Sequence, residues 1–320
     1  MPGFLKYALY TLLLVVSAVL LYFLIKFLVA ARTIEMALAA ALVNTQQCGQ
    51  DMCPPVTSII KPIPTTISTK TFDLLTAQYC STIVYSIIIA ILDKTIPVYP
   101  ADLTLIKELY DSPSNPISGA ILSSHGNAVL WLSFRGSQTI DDWKVDFNLN
   151  QTALSATYAT DDHHFSMKPE KKPRIHQGFL SRYRMLRPQI LETIKTVDPK
   201  KSSTLVVTGH SLGAALATLA GLDLVLAGYT NVIVYNFASP RVGDRSFTEL
   251  VDQSMKVYRI VNSSDLIPTL PLSVQPNMTT PNQPSFYSHC GSALYFSDNW
   301  LSLLNNHNIA IYMKNLEFIQ

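Results

Sequence analysis

The first run of apolar positions spans Tyr7 to Ile25, nineteen residues without a charge. Coiled as a helix it is about 28 Å long, close to the hydrocarbon thickness of a bilayer. Lys26 follows, placed to snorkel outward, and Leu28 to Ala31 prolong the run to Arg32. The run exceeds the apolar core of a cleavable signal peptide, roughly 7–15 residues. Residues 1–43 are therefore expected to form an uncleaved, single-pass membrane anchor. Lys6 on one side, and Lys26 and Arg32 on the other, leave its orientation nearly balanced. Residues 44–70 change character. Pro54, Pro55, Pro62 and Pro64 stand among serines and threonines, a pattern hostile to helix and to central strand, so a linker is expected there.

From Thr71 the pattern alternates. Helical runs at 73–93, 178–196 and 211–227 interleave with short β-branched or fully apolar runs at 128–134, 204–208, 232–237 and 256–261. Strands alternating with helices predict an α/β fold, a mostly parallel sheet covered on both faces, over residues 71–320. Residues 74–92 are also uncharged and long enough to be a second membrane span. Thr76, Gln78, Tyr79, Ser81 and Thr82 make their first half polar, which favours a helix buried in the domain.

Composition narrows the function classes. The net charge is +2 in 320 residues, with no long like-charge run, so nothing points to nucleic acid or another polyanion. Four cysteines, Cys48, Cys53, Cys80 and Cys290, permit two disulfides without establishing any. Cys and His are not paired at ligand spacing, so no metal site is expected. Sequons begin at Asn150, Asn262 and Asn277.

The densest chemistry lies in Thr204–Gly221, "TLVVTGHSLGAALATLAG". A β-branched run stops at Gly209, and a helix-forming run starts after Ser211. A serine hydroxyl is a weak nucleophile; to react it must project from the scaffold, meet a base, and sit beside free backbone N–H groups. A sharp strand-to-helix turn does all three if the residues two before and two after the serine are very small. Gly209-His210-Ser211-Leu212-Gly213 has this form, with Leu212 opening the helix and offering its N–H.

Such a serine needs a histidine base, and the histidine an acid. In α/β-hydrolases the order along the chain is serine, acid, histidine. Among acids after Ser211, Asp265 follows the strand "KVYRIV" by a few residues, where a loop leaves the sheet; Asp298 is its nearest competitor and Asp223 reads as a helix-face residue. Two histidines follow. His307 lies in a polar loop that opens the last helix and is expected to be the base, while His289 reads as a structural hydrogen-bonding group. His210, inside the turn, is expected to pack beneath it. Asn262 stands so near Asp265 that its sequon is expected to be unused; Asn277 is the likeliest of the three to be modified.

Several stretches in order resemble the fungal-type (class 3) lipases: "LWLSFRGSQTIDDW", "RIHQGFL", "GHSLGAALATLAG", "NFASPRVGD", "YRIVNSSDLIPTLP", "HCGSALYF" and "NNHNIAIYMKNL". The similarity runs from near Phe72 to Leu316. It implies a serine carboxylester hydrolase of the α/β-hydrolase superfamily in which Ser211, Asp265 and His307 match nucleophile, acid and base. Ser137 of "FRGS" matches the residue that joins Leu212 in the oxyanion hole. Ala214, Ala238 and Asp244 depart from residues frequent in the family, two glycines and an asparagine. After Ser137, Thr139 and Asp142 read as a capping pair, and Ile140, Trp143 and Phe147 fall on one helical stripe. The resemblance implies a lid there. The basic loop 167–174 reads as solvated.

The expectation is a membrane-anchored lipase that hydrolyses ester bonds of acylglycerols or phospholipids, without metal or organic cofactor. Its partners would be a lipid ester and a membrane lipid surface, with no nucleic acid. The alternatives are a non-catalytic lipid-binding or scaffold protein on the same fold, or an esterase or acyltransferase acting on non-lipid esters.

Overall fold

The computed structural model describes residues 61–137, 150–154, 172–275 and 284–319. The anchor expected over 1–43, the first part of the linker, the lid residues Ile140, Trp143 and Phe147, and Asn277 all lie outside them.

In chain order the elements are α1 (Leu74–Leu92), β1 (Thr104–Leu109), β2 (Gly119–Ser124), β3 (Val129–Phe134), β4 (Gln151–Ala153), β5 (Arg174–His176), α2 (Gln177–Val197), β6 (Thr204–His210), α3 (Leu212–Leu226), β7 (Val232–Phe237), α4 (Arg245–Ser254), β8 (Lys256–Asn262), β9 (Val274–Gln275), β10 (Ser285–Phe286), β11 (Ser292–Phe296), α5 (Leu303–Asn306) and α6 (Ile309–Lys314). Seven strands form one sheet in the order β1-β2-β3-β6-β7-β8-β11. β3, β6, β7, β8 and β11 run parallel, and β1 and β2 are antiparallel additions at one edge.

Alternation along each central strand explains the layering. Leu130, Leu132 and Phe134, Leu205 and Val207, and Val232 and Val234 face the core shared with α2, α3 and α4. Val129 and Trp131, Val206, and Ile233, Tyr235 and Phe237 face the opposite core, shared with α1 and α6. A strand apolar on both faces must be covered on both, and it is. α1 is the uncharged 74–92 segment. Most of it is buried within the domain, with Ile83, Val84 and Ile87 fully enclosed, so it serves as a core helix. Its start is capped by Asp73, whose Oδ1 accepts from the Thr76 amide at 2.7 Å.

Residues 61–70, expected as the end of the linker, lie on the same face as α1. Ile63 and Ile67 are buried there. The Ile63 amide donates to Asp102 Oδ2 at 3.1 Å, and Tyr258 Oη donates to the Lys70 carbonyl at 3.2 Å. On the other face, Asp223 is an interhelix tie. It is buried in α3 and accepts from Tyr183 Oη at 2.7 Å and from Arg187 Nε and Nη2 of α2 at 2.7 and 3.1 Å. Cys80 and Cys290 are free, buried thiols, so neither belongs to a disulfide within the described residues. Burial, followed by the nearby Asp252 carboxylate, pushes the Cys290 thiol up to about 12.

Ala238 closes β7 with φ +52°. A Cβ is crowded in that left-handed region and glycine is not. Ala238→Gly is expected to leave stability unchanged or raise it by up to about 1 kcal/mol, despite the usual entropy cost of glycine. Urea denaturation of the variant beside the parent chain checks it.

Candidate active site

The carboxyl ends of the parallel strands gather at one end of the sheet, and the loops leaving them carry the reactive groups. Ser137 follows β3, Ser211 follows β6 and Asp265 follows β8 by three residues. His307 comes last, between α5 and α6.

Ser211 stands between β6 and α3 with φ +57° and ψ −126°, a strained conformation for a side chain with a Cβ. The flanking glycines make the turn possible by close approach. A Cβ on Gly209 would stand 2.2 Å from the Gly213 carbonyl oxygen. A Cβ on Gly213 would stand 2.3 Å from the Arg135 carbonyl oxygen and 2.5 Å from that of Phe134. Only hydrogen fits at either place. The second contact also presses the end of β3 against the start of α3, so the loop bearing Gly136 and Ser137 reaches the serine. A Cβ placed on Gly136 would lie 3.3 Å from Ser211 Cβ.

Arg135 fixes that loop. It is buried, its Nε donates to the Ile117 carbonyl at 2.7 Å, and its Nη1 donates to the Gly136 carbonyl at 2.8 Å. Ser137 is buried next to it. Leu212 is the first residue of α3, where a backbone N–H has no acceptor within its own helix. Leu212 thus borders the serine at the positive end of a helix dipole, and the loop that carries Ser137 approaches the serine at Gly136.

The other two expected residues meet Ser211 directly. His307 Nε2 is 2.9 Å from Ser211 Oγ, and His307 Nδ1 is 2.8 Å from Asp265 Oδ2. The three residues are each at most 5% exposed. A carboxylate this buried requires donors. Asp265 has three: His307 Nδ1, Tyr312 Oη at 2.6 Å on Oδ2, and the Ile267 amide at 2.9 Å on Oδ1. Burial and then the Asp265 carboxylate push the Tyr312 phenol well above its usual value, so it remains a donor. With Asp265 accepting at Nδ1, that nitrogen carries the proton and Nε2 is left bare toward the serine. The arrangement can draw the proton from Ser211 Oγ and stabilise the imidazolium that results.

Nearby residues are sorted by their contacts. Asp298, the competing acid, is turned elsewhere: its Oδ2 accepts from Asn315 Nδ2 at 2.8 Å. His289 supports the acid loop from behind, donating Nε2–H to the Pro268 carbonyl at 2.7 Å. Burial and then the Arg259 guanidinium hold its imidazole down to about 3, so it stays neutral. Asn262 is fully buried. Its Nδ2 donates to the carbonyls of Asp298 and Asn306 at 2.8 and 3.1 Å, and its Oδ1 accepts from the amides of Ser264 and Asp298 at 3.2 and 3.1 Å. A fully engaged, enclosed amide is closed to glycosylation. Asp244 caps α4, accepting from the Phe247 amide at 2.8 Å.

Sequence reasoning missed Tyr312 and Arg135. Tyr312 lies five residues after His307 in "HNIAIY", and no motif singles it out. Arg135 sits in the quoted "FRGS", where its charge gave no hint of a buried backbone clamp.

Residues 131–275 match the family described as Lipase (class 3). The chain is 32% identical over 170 residues to a secreted mono- and diacylglycerol lipase A of Penicillium cyclopium, covering 53% of this chain and 52% of that one. It is 34% identical over 172 residues to a chloroplastic phospholipase A(1) of Arabidopsis thaliana, covering 50% of this chain and 38% of that one. The chain thus spans about half the length, or less, of these curated relatives. The triacylglyceride lipase of Rhizomucor miehei superposes with a TM-score of 0.52 over 70% of this chain and 80% of its own, at 23% identity, a likeness of fold. The matched segment, which bears the strand-to-helix turn, is thus similar in sequence to the class 3 lipases, and the fold around it is like that of the Rhizomucor miehei lipase.

Proposed function

We propose that the protein is a serine hydrolase that cleaves carboxylic ester bonds of lipids, acylglycerols or phospholipids. The observation that carries this reading is the unbroken chain from Ser211 Oγ through His307 to Asp265, at 2.9 and 2.8 Å. The similarity to an acylglycerol lipase and to a phospholipase A(1) supports the substrate class.

In this mechanism Ser211 Oγ attacks the ester carbonyl as His307 Nε2 takes its proton. The carbonyl oxygen becomes an oxyanion and is held by the backbone N–H groups of Ser137 and Leu212. The intermediate collapses, and the alcohol leaves with the proton from His307. Water then gives a proton to the same nitrogen and attacks the acyl-enzyme. Collapse of the second intermediate returns the proton to Ser211 and frees the fatty acid. Asp265 keeps the imidazole in one tautomer throughout, and Tyr312 keeps Asp265 in place.

Two further parts rest on sequence pattern. Residues 7–25, uncharged over nineteen positions, serve as the anchor that holds the site beside bilayer lipid and raises local substrate concentration. The resemblance to class 3 lipases also assigns the stripe of Ile140, Trp143 and Phe147 to a lid.

Activity of the full chain against a soluble short-chain ester, a diacylglycerol, a triacylglycerol and a phospholipid, with acyl transfer to added alcohols tracked in parallel, tests the reading. Hydrolysis of at least one lipid ester, lost by about four orders of magnitude or more in Ser211→Ala, is the expected result. Activity confined to non-lipid esters, or unchanged in Ser211→Ala, overturns it. Tyr312→Phe removes one charge-assisted hydrogen bond from Asp265 and is expected to lower kcat about tenfold, with KM little changed. Steady-state kinetics on the best ester of the panel measures this.

A further inference from the structure

The mechanism uses one histidine, yet a second is packed against it. His210 precedes Ser211 and is almost fully buried. Its ring lies against the His307 ring, with centroids 4.5 Å apart and planes inclined by 37°, and meets the Tyr312 ring edge to face at 5.9 Å. His210 Nε2 lies 2.8 Å from the backbone carbonyl oxygen of His307. A carbonyl only accepts, so Nε2 carries the hydrogen. Nδ1, on the other side of the ring, faces the oxyanion loop: a Cβ on Gly136 would lie 3.2 Å from it.

One side chain therefore touches the backbone of the base, the ring of the tyrosine that holds the acid, and the loop that leads to Ser137. Buried polar side chains are usually satisfied wherever a partner is at hand. This one spans 97 residues of sequence to reach the residue whose imidazole position decides reactivity. His307 stands between two short helices, and its carbonyl is held from outside those helices by this bond.

We propose that His210 is a positioning residue that fixes the backbone of His307, and so the distance from its Nε2 to Ser211 Oγ, by donating a hydrogen bond to the His307 carbonyl. It acts through His307 and touches no reacting atom. Burial, followed by the adjacent His307, holds its own imidazole well below the usual value. It stays neutral while His307 takes up and releases a proton, and so adds no positive charge beside it. This role is tied to the ester-hydrolase reading, since a serine without a base to activate it has no use for the contact.

The test compares the full chain with His210→Phe, which keeps an aromatic ring but has no donor, and His210→Gln, whose side-chain amide can donate to the same carbonyl. The readout is the rate at which a fluorophosphonate labels Ser211, normalised to the folded fraction from circular dichroism. It reports nucleophile activation rather than stability. His210→Phe is expected to label about a hundredfold more slowly, as a base displaced by about 1 Å would. His210→Gln is expected to recover to within roughly fivefold of the parent, a residual set by the poorer fit of the amide. Labelling of folded His210→Phe at the parent rate overturns the proposal. So does His210→Gln labelling as slowly as the phenylalanine variant while folded, because that places the effect in ring packing alone. Failure of the parent chain to label at all overturns the hydrolase reading and this role with it.

Discussion

A carboxylate that is 4% exposed cannot remain charged without donors around it, and most of the site follows from how Asp265 obtains them. One comes from its own turn, the Ile267 amide. The other two, His307 Nδ1 and Tyr312 Oη, come from a segment more than forty residues later. The C-terminal stretch after β11 must therefore fold back over the sheet end. In doing so it delivers the opposite edge of the same imidazole to Ser211. The requirement of one buried acid thus brings together the far end of the chain and the strand-to-helix turn.

The scaffold meets this requirement with rigidity at short range. The turn at Ser211 exists because β6, α3 and the end of β3 approach more closely than any Cβ allows, at Gly209 and Gly213. That approach sets the serine, the helix N-terminus and the Ser137 loop together as one unit. Arg135 pins the loop from the β3 side, and Asn262 pins the turn after β8 to the segment before His307 through three hydrogen bonds. His289 adds a neutral prop behind the acid loop. Each of these is a polar side chain bonded to backbone, and each holds a loop rather than contacting a reacting atom.

Much of the architecture was legible in sequence because strand and helix periods are local. The runs at 204–208, 232–237 and 256–261 became β6, β7 and β8 nearly residue for residue, and α1 to α3 began and ended within about two residues of expectation. The three side chains brought together at the sheet end are also within reach of the sequence, since chain order and loop placement are linear properties. What escaped was set by tertiary geometry. β1 and β2, TLIKEL and GAILSS, mix polar and apolar positions, and take their place by antiparallel pairing beside β3. Residues 61–70 read as linker by their prolines, yet Ile63 and Ile67 are buried. Tyr312 is an ordinary aromatic helix residue until Asp265 is placed opposite its hydroxyl, and no sequence spacing announces that pairing. The cysteines at 80 and 290 showed the converse, an even count permitting pairs while both thiols stand free.

The most direct probe of the central claim is Asp265→Asn, assayed for ester hydrolysis by the full chain beside a thermal melt. The asparagine keeps the size of the side chain, but its amide nitrogen can donate to His307 Nδ1, which forces the proton onto Nε2 and leaves no base facing Ser211. A folded variant with hydrolysis reduced about ten-thousandfold is the predicted result. Hydrolysis within tenfold of the parent would mean that Asp265 does not set the protonation of His307, and would contradict the account.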